Sequence, residues 1–179
     1  GVVTAANLTS AILTSAVLND RDLTSVDFEK ADLRGARLDG ADLENAILTG
    51  ARLISDGTNA VNLSSANLTN AKLSKADLTG ANLTSADLVG ADLTGANLTS
   101  TTLASTVFSE TAAGVVTAAN LTSAILTSAV LSSRDLTSVD FEKADLRGAN
   151  LTGADLENAI LTGANLTTDG TNTVKLMGA

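Results

Sequence analysis

Aspartates recur at multiples of five residues, as at Asp77, Asp87 and Asp92, and more acids crowd residues 20–44. Paired carboxylates are what general acid–base catalysis or a hard cation would use. The chain has no His and no Cys, so a nucleophile–base pair or a soft-metal cluster cannot be assembled, and its glycines form no phosphate-binding or dinucleotide-binding motif. Asp56 and Asn59 stand in the phrase DGTNA, repeated as DGTNT with Asp169 and Asn172. One carboxylate and one amide fall short of a calcium loop's ligand set, so the phrase reads as a turn that bows outward. Arg21 and Arg134, followed by Asp22 and Asp135, stand where the surrounding pattern has Ala. A buried unpaired guanidinium is costly, so the corner should open and let each arginine reach water beside its acidic neighbours. These eight positions are the candidate interaction sites. Eight Asn-Leu-Thr or Asn-Leu-Ser triplets match the glycosylation acceptor, but a repeated phrase generates them automatically.

The elements that must position these residues are read from Ala76 to Ser100, five uninterrupted copies of one five-residue phrase centred on Leu78, Leu83, Leu88, Leu93 and Leu98. At about 100° per residue, a step of five scatters leucines around a helix. In a straight strand an odd step sends them to alternating faces. Only a chain that turns once per phrase gathers them on one side, so a coil with inward leucines is expected. All 28 leucines fall at centres, as do the three aromatics, Phe28, Phe108 and Phe141. Ala two before the centre suits a crowded corner, and Gly two after it supplies dihedrals that a Cβ resists. Ten of the fourteen glycines occupy that slot.

The phrase runs in register from Val3 to Phe108, giving 22 pentapeptides over residues 1–110. Three extra residues, 111–113, read as a corner insertion, after which Val116 and Leu121 resume as centres. Residues 114–179 match residues 1–66 at 55 of 66 positions. The chain thus reads as one solenoid domain over 1–179, with 114–179 a near-duplicate of its start. It opens at Gly1 without Met and stops within a unit, as a processed chain or a fragment would.

Net charge is −9, from 20 acidic and 11 basic residues. That balance opposes binding to nucleic acid or to anionic membranes. No apolar run is long enough for membrane insertion as a helix, and no cofactor motif is present.

The motif A-[DN]-L-x-x, seen as Ala76-Asp77-Leu78, Ala91-Asp92-Leu93 and Ala164-Asn165-Leu166, resembles the pentapeptide-repeat family along nearly the whole chain. The resemblance implies an all-β fold, a right-handed quadrilateral β-helix with four pentapeptides per coil and nearly nine coils. Residues twenty apart then become vertical neighbours. One column would run Ile12, Asp32, Arg52, Lys72, Asp92, and another Asp22, Asp42, Asn62, Asn82, Thr102. Signs mix in the first of these, so no continuous acidic stripe is expected.

Three functions are open. The first is a non-catalytic structural solenoid, a segment of a longer array or fibre associating end to end through unpaired strand edges. A fibrous array would suit the cell surface or exterior. The second, implied by the resemblance, is an acidic mimic of duplex DNA that binds a type II topoisomerase. The third is ice or surface binding through threonine ladders such as Thr79 above Thr99.

Overall fold

A five-residue period can keep its leucines together only if the backbone turns at every phrase, and the computed structural model shows how it turns. The model describes residues 6–112, 115–168 and 178. Within each phrase the N–H of the corner residue donates to the carbonyl of the preceding centre, as from Ala36 to Leu33 at 3.0 Å and from Ala81 to Leu78 at 2.9 Å. The residue just before that corner has positive φ, the requirement of a type II turn. Glycine is not needed for this. Eighteen non-glycine residues, mostly Ser with Asn, Lys and Asp, take φ between 54° and 61° in that slot. Each such residue costs about 1 kcal/mol or more, which the turn's hydrogen bonds and the buried centre offset.

Between corners lie short segments that pair in parallel with the next coil through isolated bridges. Four columns result. The first holds Asn7, Asp27, Ile47, Lys72, Asp92, Asn120, Asp140 and Ile160; the second holds Ile12, Asp32, Arg52, Asp77, Asn97, Ile125, Asp145 and Asn165. The third runs Val17, Arg37, Asn62, Asn82, Thr102, and the fourth Asp22, Asp42, Asn67, Asp87, Val107; below them Val130 pairs with Asn150 and Asp135 with Asp155. Eight levels at a strand spacing of about 4.8 Å make the first column about 34 Å tall. Among the described residues there is no helix.

The step along a column is twenty residues in most coils, but Arg52 pairs with Asp77 and Arg37 with Asn62, twenty-five residues apart. The DGTNA phrase therefore adds no side to the solenoid. It lengthens one corner, because Thr58 has no aliphatic side chain to bury and lies exposed. The columns expected from a uniform step of twenty are corrected accordingly. Lys72 lies under Ile47 and not Arg52, and Asn67 lies under Asp42 where Asn62 was expected.

The insertion after Phe108 is larger than three residues. Asp92 pairs with Asn120 and Asn97 with Ile125, twenty-eight apart, so eight residues leave the coil. With Ser109 and Glu110 they belong to an antiparallel hairpin of β1 (Ser109–Ala112) and β2 (Val115–Ala118), in which Val116 pairs with Thr111. Val116 thus belongs to a hairpin strand, and Leu121 is the centre that follows Phe108.

The core is the stack of centres. Leu78 and Leu83 are 1% exposed, and Leu88, Leu93, Leu98, Phe28, Phe108 and Phe141 are fully buried. Alanines fill most corners. Thr101 and Thr106 replace two of them, and their buried hydroxyls donate to the carbonyls of Leu78 and Leu83 at 3.1 and 2.8 Å, so no polar group is stranded.

Candidate functional site: an acidic face and a looped corner

The recurring Asp or Asn before each centre has a structural task. Its Oδ1 accepts the N–H two residues on, as from Glu29 to Asp27 at 2.8 Å, Val89 to Asp87 at 2.9 Å and Thr84 to Asn82 at 3.1 Å. This local Asx bond satisfies a backbone donor at the start of each corner. Threonines at the next outward position reinforce it: the hydroxyls of Thr79, Thr94 and Thr99 donate to Asp77, Asp92 and Asn97. The carboxylates that looked like catalytic pairs are thereby committed to the fold. Among the described residues no group of three or more His, Cys, Asp or Glu side chains is arranged to hold a metal ion.

Charge is divided unevenly among the four faces. Among the described residues all six ion pairs lie on the first three, for example Arg34 with Asp32 at 2.7 Å, Arg147 with Asp145 at 2.6 Å and Lys30 with Glu29 at 2.7 Å. Among the described residues the fourth face carries Asp22, Asp42, Glu44, Asp87, Asp135, Asp155 and Glu157, and no base between its corners. None of these seven acids makes an ion pair among the described residues. The Asn67 amide donates to Asp42 at 3.0 Å, and the Ser109 hydroxyl to Asp135 at 3.3 Å. The Thr24 hydroxyl and N–H hold the Asp22 carboxyl below its ordinary range, and the Thr137 N–H does the same for Asp135. The fourth column is acidic at most levels, but Asn67 and Val107 interrupt it, so the stripe is not continuous.

Arg21 and Arg134 stand at the corner leading into this face, near its two ends. Arg21 is exposed and Arg134 half-buried, and neither makes an ion pair among the described residues. The Arg134 Nε donates instead to the Ser132 carbonyl at 3.1 Å. The corner does let both side chains outward, but not onto their acidic neighbours.

Asp56 and Asn59 lie elsewhere, on the corner between the second and third faces. The Asp56 carboxylate accepts from the N–H groups of Thr58 and Asn59 at 2.8 and 2.7 Å and from the Ser15 hydroxyl at 2.6 Å. Led by the Ser15 bond, these donors hold its carboxyl far below the ordinary range. Arg37, Thr58, Asn59 and Asn62 border a cavity of about 450 Å³ beside it. With these protein donors on its carboxylate, Asp56 anchors the loop. Asp169 and Asn172 lie outside the described residues.

A family model described as pentapeptide repeats, in 8 copies, matches residues 4–40, 27–55, 62–111, 117–153 and 140–167. The internal uncovered stretches, 56–61 and 112–116, fall at the looped corner and within the hairpin. Among solved structures, HetL is a pentapeptide repeat protein involved in heterocyst differentiation regulation, from the cyanobacterium Nostoc sp. strain PCC 7120. It is 36% identical, covering 92% of this chain and 74% of its own, with a TM-score of 0.27. Rfr23 from the cyanobacterium Cyanothece 51142 is 30% identical over 81% of this chain and 91% of its own, with a TM-score of 0.29. QnrB1, a plasmid-mediated fluoroquinolone resistance protein, is 21% identical over 97% and 88%, with a TM-score of 0.46. No curated protein matches the chain by sequence.

Proposed function

The chain belongs to the pentapeptide-repeat family, and from that premise we propose that it is a non-catalytic solenoid acting as a protein-binding surface. In this reading it is the family's right-handed four-sided β-helix, and its fourth face docks a basic protein surface of the kind that otherwise binds duplex DNA, such as that of a type II topoisomerase. The observation that carries the reading is the segregation of charge: six ion pairs on three faces and seven acids without one on the fourth. Unneutralised acids on one rigid face steer a cationic partner and favour one orientation of docking. A supercoiling assay with a bacterial gyrase tests it. Inhibition is expected, weakening with added salt and with Asp42→Asn, Glu44→Gln and Asp87→Asn combined. Supercoiling unaffected by excess protein would remove the reading.

A second reading, end-to-end association, ranks first on sequence alone and rests on the first described coil. The N–H groups of Asp32 and Arg37 donate to Ala11 and Ala16, whereas those of Ile12 and Val17 have no such bond among the described residues. Stacking on another coil, from this chain or a second copy, would supply acceptors. Sedimentation at rising concentration decides it, since a species that stays monomeric rules out self-stacking. For the ice-binding reading, the ladder under Thr79 and Thr99 extends only to Thr127, between Ile54 and Arg147.

A further inference from the structure

The parallel ladder is interrupted at one level. In coil after coil a centre's N–H donates to the next coil, as from Leu83 to Thr102 and from Leu88 to Val107 at 2.8 Å. One level lower, Leu103 and Phe108 have no such bond, nor does Ser105, where Ser85 above it donates to Ala104 at 2.8 Å. From the other side, Val130 and Asp135 do not donate to Thr101 and Thr106, although Asn150 and Asp155 below them do donate upward, to Ala129 and Arg134 at 2.9 Å. Among the described residues these five ladder bonds between the two coils are absent, all on the third and fourth faces.

On the first and second faces the same two coils remain joined. Leu93 donates to Asn120 at 2.8 Å and Leu98 to Ile125 at 2.7 Å. Bonds at the edges of the gap are long: Ser100 to Thr127, Thr106 to Leu103, Arg134 to Leu131 and Asp140 to Ala119 are each 3.4 Å. The core nevertheless continues across, with Leu103, Phe108, Leu131 and Leu136 fully buried. The cause is the hairpin. It leaves the coil directly after Phe108, and the chain rejoins the ladder at Ala119, which donates to the Phe108 carbonyl at 2.7 Å. The Ser132 carbonyl, left without its ladder donor, is taken by Arg134.

We propose that this one-sided gap is a hinge: the coils above and below it pivot about the paired first and second faces and open at the third and fourth. Backbone bonds hold one side, while among the described residues only side-chain packing and the Ser109–Asp135 bond span the other, so bending toward the paired side breaks no ladder bond. The acidic face lies on the opening side and can change its curvature while each block stays rigid. The hinge is independent of which partner docks there.

Spin-label distance measurements on the intact chain test it. Labels at Asn82 and Asn150 bracket the gap on the third face, and labels at Lys72 and Asp140 bracket the same number of coils on the first. The open-side pair is expected to give a distance distribution at least twice as broad as the other. Equal widths, whether both narrow or both broad, overturn the hinge. Removing residues 111–118 with Glu110→Gly restores the twenty-residue step and should narrow the open-side distribution to match. A folded deletion variant with an unchanged distribution also overturns it, and if that variant fails to fold the intact-chain comparison decides alone.

Discussion

The carboxylate of Asp56 occupies the space that a side chain at Gly35 would need. A Cβ built on Gly35 collides with that carboxylate, which passes over the glycine to meet Ser15. Three segments of chain, around residues 15, 35 and 56, are thereby locked at one corner. Gly35 has φ +63° like other residues in its slot, so its backbone alone does not demand glycine; the passing carboxylate does.

Gly35→Ala should therefore cost more than the same change at Gly80, which has φ +68° and open space around it. About 1 kcal/mol is expected at Gly80 from the left-handed backbone and about 2 to 3 at Gly35, where an overpacking cost is added. Urea unfolding of the two single variants, and of Gly35→Ala with Asp56→Ala, measures it. If removing Asp56 does not bring the cost at Gly35 down toward that at Gly80, the contact is not the cause.

Acid should destabilise the protein only below about pH 4. The Ser15 hydroxyl and two N–H groups depress Asp56, the Arg34 hydrogen bond depresses Asp32, and the Arg147 hydrogen bond depresses Asp145. A carboxyl whose folded pKa is lowered contributes stability that is present above its unfolded value, near 3.8, and is lost as pH falls through the folded value. The melting temperature should be level from pH 7 to about pH 5 and fall steeply under pH 4. Asp56→Asn should show a shallower acid limb, and an identical limb would remove Asp56 as a contributor.

The Asx bonds predict a difference between two changes at one position. Asn97 Oδ1 accepts both the N–H and the hydroxyl of Thr99, at 3.1 and 2.7 Å. Asn97→Ala should cost about 1 kcal/mol, while Asn97→Asp keeps the acceptor and should be within about 0.5 kcal/mol of the parent. Chemical denaturation with both variants decides whether the acceptor or mere bulk is needed.

Core substitutions should grade with position in the stack. Leu98→Ala, in the fully buried interior, should cost about 2 to 5 kcal/mol. Leu13→Ala, in the partly buried first described coil, should cost less than half of that. Equal losses in urea melts would show that the first coil is as tightly enclosed as the middle.

Periodicity alone was enough to predict the turn at each phrase, the inward leucines and the small corner residues. These follow from local steric and burial preferences that act within five residues. The charged columns were beyond it, since vertical neighbours depend on counting sides, and DGTNA and the hairpin residues consume chain without making any. A phrase keeps the count whether or not it carries a leucine, but only a buried centre makes a side, and burial is a tertiary property. That is why Asn67 and not Asn62 lies beneath Asp42, why seven acids share a face with no base between its corners, and why the ladder parts on two sides below Thr102 and Val107. Arg21 and Arg134 were recognisable as irregular from their residue types; that both mark the corner of the acidic face was decided only when the coils stacked.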